Sequence, residues 1–200
     1  MNTLNTTKKI ATASLLLLLT ACASGPRYGG NVSYGDEKGI EQVTNEFGST
    51  DLQMIAETLS RQLLQDPTLA RVTEKVRMRV SDIKNKTTEY IDTKIISDKI
   101  RRQLLGSGKV VFVVDDASMQ KQVDDLRRQN QSGLYSSSGT AKTGRMVAEK
   151  YRLEGSISSI TKRGSNVKDV FYIFEMSMTD VESGTIIWAG EREIRKTSGR

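Results

Sequence analysis

The chain has 200 residues, with 30 Lys and Arg against 24 Asp and Glu, one Cys and no His. Without His and with a single thiol, Cys–His nucleophiles, Ser–His–Asp triads and the usual nitrogen- and sulfur-ligated zinc sites are excluded. A net charge of +6 is compatible with anionic glycans, phospholipid or an acidic protein patch, and too weak to argue for nucleic acid.

In chain order, Lys8 and Lys9 precede an apolar run from Ile10 to Leu19, and small Thr20 and Ala21 come next. This is the layout of a secretory signal peptide over residues 1–21. The run is about ten residues long, whereas a bilayer span needs roughly 20. Leu19-Thr20-Ala21-Cys22 resembles the lipobox of bacterial lipoproteins. That resemblance implies cleavage before Cys22, a diacylglycerol on its thiol and an acylated amine. One acyl chain holds a protein marginally, but several, at ~0.8 kcal/mol per buried CH2, anchor it stably. With Cys22 lipidated, no thiol is left for a disulfide. Ala23 and Ser24 stand after the Cys, with no Asp, which by resemblance to enterobacterial sorting implies the outer membrane, with the body facing the periplasm. Loss of Lys8 and Lys9 with the signal lowers the net charge to +4.

Residues 22–50 are expected to be the lipidated Cys and a tether. The stretch "GPRYGGNVSYGDEKG" is rich in Gly and shows no period. From Ala23 to Thr50 the chain reaches ~90–100 Å when fully stretched but averages only about 30 Å as a coil.

A globular α+β domain is expected over residues 51–200. Thr50 and Gln53 form a capping-box pattern, and Leu52, Ile55, Ala56, Leu59 and Leu63 share one helical face. Asp66-Pro67 stops that helix. Lys75 to Ser81 alternates Val76, Met78 and Val80 with Lys75, Arg77 and Arg79, predicting a half-buried strand. "KNKTTEY" is a polar connection. Asp92 is placed to cap a second helix that turns Ile95, Ile96, Ile100 and Leu104 inward, and Gly106 to stop it. Val110 to Val114 predicts a strand covered on both faces. Ala117 to Asn130 predicts a charged helix, capped by Asp116, with Met119, Val123 and Leu126 as its inner stripe. "QSGLYSSSGTAKTG" is a loop and Gly144 to Tyr151 a short helix. Three strands close the chain, near Arg152–Thr161, Val170–Thr179 and Thr185–Arg195, joined by the hairpin turns "KRGSN" and "VESG". The order predicts a small mixed sheet flanked by helices.

Searches for catalytic motifs fail. Gly106-Ser107-Gly108-Lys109 matches only a fragment of a phosphate loop: Gln103 stands where the first Gly is needed and Val110 where Ser or Thr is. Lys142-Thr143-Gly144 and the S-x-x-K matches at Ser81, Ser118 and Ser159 lack the order and domain size of a penicillin-binding enzyme. Asp124 and Asp125 lie on a polar helix face where Asp124 can pair with Arg128. No enzyme activity, catalytic residue, metal or cofactor is expected.

The ordered set of the lipobox, "VRMRVSDIKNKTTEYID", "RRQLLGSGKVVFVVD", "ASMQKQVDDLRRQNQ", "GTAKTGRMVAEKYRLEGSISSI" and "MTDVESGTIIWAGEREI" resembles the LpoB-type penicillin-binding protein activators, outer-membrane lipoproteins, over residues 50–195. The resemblance implies a fold related to the N-terminal domain of TolB. It implies binding to an accessory domain of a bifunctional class A penicillin-binding protein and stimulation of that peptidoglycan synthase, hence regulation of cell-wall synthesis and cell shape. The tether departs from the long Pro-rich tethers of well-known members: Pro26 and Pro67 are the only prolines here.

No short family motif marks the interface, so physics selects it. Arg127, Arg128, Gln131, Tyr135, Lys142 and Arg145 gather around a loop on a scaffold, and Tyr and Arg dominate interface hot spots. Trp188 reads instead as packing. A monomer is expected. The alternative is a structural or export lipoprotein similar to the CsgG type. It would need more long lipid-facing strands than the last hairpin provides, and Arg192 and Glu193 suit lipid badly.

Overall fold

A computed structural model describes residues 35–41 and 44–199; the signal peptide 1–21, Cys22 and residues 23–34 lie outside the described residues. The chain divides into units of residues 1–37 and 38–200. Of the first, residues 35–37 are described and exposed. All the described helices and strands belong to the second.

Helix α1, Ser49–Gln65, buries Ile55, Ala56, Leu59 and Leu63 on the predicted stripe. Its cap differs from the expectation. Gly48, in an extended conformation, is the N-cap residue, and its N–H donates to the Asp51 carboxylate at 2.8 Å. Thr50 Oγ1 instead accepts from the Glu41 N–H at 2.8 Å. The acidic side chain at the third helical position wins because a carboxylate is a stronger acceptor than a hydroxyl. Asp66 ends α1, and its side chain accepts from the Thr68 N–H, starting α2, Pro67–Ala70. Pro67, which lacks an N–H, sits where none is needed.

Strand β1, Val76–Val80, buries Val76 and Met78. The polar connection contains a two-residue strand, β2, Lys84–Asn85. Helix α3, Thr93–Gly106, is capped by Asp92 and buries Ile96, Ile100 and Leu104. Ile95 is 49% exposed, against expectation, because it lies a position off the stripe that meets the sheet. Gly106 stays helical; the left-handed turn comes two residues later at Gly108, with φ +73°. Strand β3, Val110–Phe112, comes next. Among the described residues it pairs only with β1, so it is a half-buried edge rather than a strand covered on both faces.

Helix α4, Asp116–Gln131, is capped by Asp115, which accepts from the Ser118 N–H at 2.8 Å; Asp116 lies inside the first turn, correcting the expected cap. Its stripe of Met119, Val123 and Leu126 is only half-buried. The helix expected over Gly144–Tyr151 does not form. Lys150 N–H donates to the Arg77 carbonyl at 2.9 Å, so sheet pairing captures this segment, and Tyr151 opens β4. Strands β4 (Tyr151–Arg163), β5 (Val167–Asp180) and β6 (Thr185–Gly199) are longer than predicted.

Among the described residues the sheet has six strands in the order β3-β1-β4-β5-β6, with β2 beside β4. β3, β1 and β4 run parallel; β4, β5 and β6 form an antiparallel meander. The molecule is therefore α+β, as expected. One sheet face carries Met78, Leu153, Ile157, Phe174 and Met178, all buried, and takes α1 and α3. Each such side chain contributes ~1.5–3 kcal/mol. Arg79, on the opposite face by strand alternation, is ion-paired with Asp116 and so draws the start of α4 to that second face. Crossovers that leave β1 and β3 in opposite directions place their helices on opposite faces when both are right-handed.

A bulge between Met178 and Thr179 shifts the pairing of β5 with β6, from Thr179–Ile186 to Met178–Trp188. The extra residue sets Trp188, 9% exposed, on the helix side of the sheet. Trp188 is therefore packing, as expected.

Candidate functional site

The six residues singled out from the sequence all lie on α4 and the loop after it. Arg127, Arg128 and Gln131 occupy the last turns of the helix, Tyr135 the first part of the loop, and Lys142 and Arg145 its return toward β4. All six are exposed. Arg127 lies 3.8 Å from Asp124, and Arg128 is bonded to Asp125. Such exposed pairs contribute little to stability. Among the described residues, Lys142 and Arg145 make no ion pair or side-chain hydrogen bond.

Helix and loop are tied at one point: Asn130 Nδ2 donates to Leu126 O at 2.8 Å and to Ala141 O at 3.1 Å. Glycine permits the sharp turns at Gly133 and Gly144, with φ +70° and +76°. Asp125, Arg128, Gln129, Ser132, Leu134 and Tyr135 line a shallow depression of about 410 Å³. The structure thus brings Arg128 and Tyr135 to one depression, whose lining does not include Gln131, Lys142 or Arg145.

Sequence reasoning missed three residues of this face. Leu134, Met146 and Val147, like Tyr135, are between 41% and 83% exposed. A signal was present: from Leu126 to Val147 the chain carries four cations and no acid. Leu134, in the loop, has no period that would give it a core position, whereas Met146 and Val147 belong to the expected helix that does not form.

The face rests on an ionic cluster around a buried carboxylate. The Glu149 side chain is 7% exposed and lies 2.9 Å from Arg152 and 3.3 Å from Arg79. Burial pushes its carboxyl upward, but the Arg152 hydrogen bond, a backbone hydrogen bond and the charges of Arg79 and Arg152 outweigh it and hold the group below the usual carboxylate range. Arg79 also bonds Asp116. One guanidinium therefore fixes both the first turn of α4 and the end of the loop. Arg77 Nε, donating to Ala148 O at 3.0 Å, adds a second tie.

A larger groove of about 1050 Å³ is lined by Lys84, Lys86, Glu154, Ser156, Glu175 and Glu191 among others. Among the described residues no cluster of His, Cys, Asp or Glu could hold a metal ion. No described helix is long and apolar enough to cross a membrane.

The profile of the peptidoglycan-synthase activator LpoB matches residues 51–194. The chain belongs to the LpoB family. This is a family of envelope lipoproteins that act as penicillin-binding protein activators and regulate peptidoglycan synthesis, rather than one of enzymes. Among solved structures, the chain is similar to the LpoB C-terminal domain from Salmonella enterica, with 22% identity, TM-score 0.43, and 72% of this chain and 98% of that one covered. The E. coli LpoB C-terminal domain gives 20% identity and TM-score 0.43, with the same coverage. The lipoprotein GNA1162 from Neisseria meningitidis gives 13% identity and TM-score 0.39, covering 62% of this chain and 84% of that one. Comparison with curated proteins finds no match.

Proposed function

We propose that this LpoB-family protein is anchored to the outer membrane by lipid on Cys22, faces the periplasm, and binds and stimulates a bifunctional class A penicillin-binding protein. The synthase contact is the face built from Arg127, Arg128, Gln131, Tyr135, Lys142 and Arg145, extended by Leu134, Met146 and Val147. The observation that carries this reading is the conjunction, within a penicillin-binding protein activator, of a cationic, acid-free stretch and exposed apolar side chains on one ion-paired scaffold. Apolar side chains supply contact area, while the unopposed cations favour an acidic partner surface and speed encounter.

The test is to mix the full chain with each class A synthase of its organism and to measure glycan polymerisation and pull-down. Binding and a raised rate are expected, both weakened at least tenfold in the Lys142→Glu/Arg145→Glu double variant. No capture by any synthase and unchanged rates would sink the proposal. Lipid on Cys22 is read separately, from the mass of the mature chain and its loss in Cys22→Ser.

A further inference from the structure

The segment that leads into α1 does not hang free. Asn45 is buried; its Nδ2 donates to Lys168 O on β5 at 3.2 Å. The Phe47 ring meets Tyr172 edge-on, with centroids 5.9 Å apart, and the Phe47 N–H donates to Glu89 Oε2 at 3.1 Å. The Tyr172 hydroxyl donates to the same carboxylate, 2.7 Å from Oε2 and 2.8 Å from Oε1. Lys196 Nζ, on β6, donates to Glu46 O and to Asp51, with its side chain and that of Asp51 both largely buried. Further out, the Glu41 carboxylate accepts from Ser49 N and Oγ, and Thr50 Oγ1 donates to Gly39 O.

The described residues of this stretch, 39–41 and 44–48, thus include a strap, residues 45–47, held against β5, β6 and Glu89. Phe47 is its one aromatic contact with the body; the other ties are polar bonds to Glu89, Tyr172, Lys168 and Lys196. Segments held this way open locally at a fraction of the global unfolding free energy. Released, the ten residues 39–48 add ~33–36 Å.

We infer that residues 39–48 are a releasable extension of the tether, which peels from Glu89, Tyr172 and Lys196 under tension and lets the body reach a more distant partner without unfolding. Its use in the cell rests on the anchored-activator reading, whereas the peeling step itself is a property of the isolated chain.

Two measurements on the full unlipidated chain test it. Cys22 is the single thiol and provides a pulling handle, with a tag at the C-terminus as the other. Force spectroscopy is expected to show a reversible extension of about 25–35 Å before the global rip. In Glu89→Gln or Tyr172→Phe this step moves to lower force while the rip is unchanged. Amide exchange is expected to run at least tenfold faster at Phe47 and Gly48 than in α1 and β5, and about tenfold faster again in Glu89→Gln. An unsubstituted chain whose first event is the global rip, or whose Phe47 amide exchanges only with the core, overturns the inference even where a variant fails to fold. A strap that releases in a chain that binds no synthase sinks only the proposed function.

Discussion

Gly190 on β6 is glycine because the Trp188 indole lies over it. A Cβ at this position would stand 2.5 Å from Trp188 Cζ2, 2.8 Å from Cη2 and 2.9 Å from Gln62 Oε1. The Gln62 amide is the end of a flexible chain and can swing away. The indole is a rigid ring, largely buried at 9% exposure, and has less freedom to move. To restore ordinary contact near 3.4 Å, the ring must retreat by about 0.6–0.9 Å. Overpacking of this kind costs ~1–3 kcal/mol. Expelling the ring instead would expose up to ~200 Å² of apolar surface, ~5 kcal/mol at ~25 cal/mol per Å², an upper bound. The smaller shift therefore wins. Replacing glycine returns ~0.5 kcal/mol through the unfolded chain. Gly190→Ala is expected to lose ~2 kcal/mol, a fall in Tm of ~4–8 °C. Urea denaturation followed by circular dichroism and by the emission of Trp188, the only tryptophan, measures it. Trp188→Leu removes both crowded ring atoms, so the alanine should then cost at most ~0.5 kcal/mol, giving a coupling above ~1 kcal/mol. A neutral Gly190→Ala, or an additive cycle, would refute the reasoning.

The ionic and capping contacts give three more expectations. Glu149 has its folded-state affinity for protons depressed, so its contribution to stability is fully present above the ordinary glutamate value near 4.5 and is lost as pH falls through the lower folded-state value. Stability measured from about pH 3 to about pH 7 should therefore fall more steeply below pH 4.5 in the parent than in Glu149→Gln; equal slopes would remove the ionic cluster as its cause. Asp115→Ala deletes the cap of α4, and should cost ~0.5–2 kcal/mol locally. Because α4 buries no residue completely, exchange should quicken in α4 well before the sheet is affected; uniform loss of protection throughout the domain would contradict that. Ile100→Ala, at a fully buried position of α3, should cost ~2–5 kcal/mol, read from the urea midpoint, and a value below ~1 kcal/mol would place α3 off the core.

Periodicity alone was enough for the elements with a full buried stripe. Ile55, Leu59 and Leu63 on α1, Ile96, Ile100 and Leu104 on α3, and the alternation of Val76 and Met78 on β1 result directly from which side chains avoid water, because helices and strands repeat at about 3.6 and 2.0 residues. The ordered family motifs were likewise sufficient for the resemblance that implies an activator. Three features were decided by partners distant in sequence. The Gly144–Tyr151 segment has helix-forming residues, yet Arg77, some 70 positions earlier, offers it a backbone carbonyl. Tyr135 and Arg128 were legible as exposed helix-end and loop positions, but the exposure of Leu134, Met146 and Val147 depends on there being no described element above them. The bulge at Met178 turns Trp188 rather than Ile187 toward α1. Local pattern thus specified which residues must be buried within each element. What lies opposite each element, and so which groups remain exposed for a partner, was settled only when the long-range sheet pairings formed, since a strand's neighbours are not encoded in its own period.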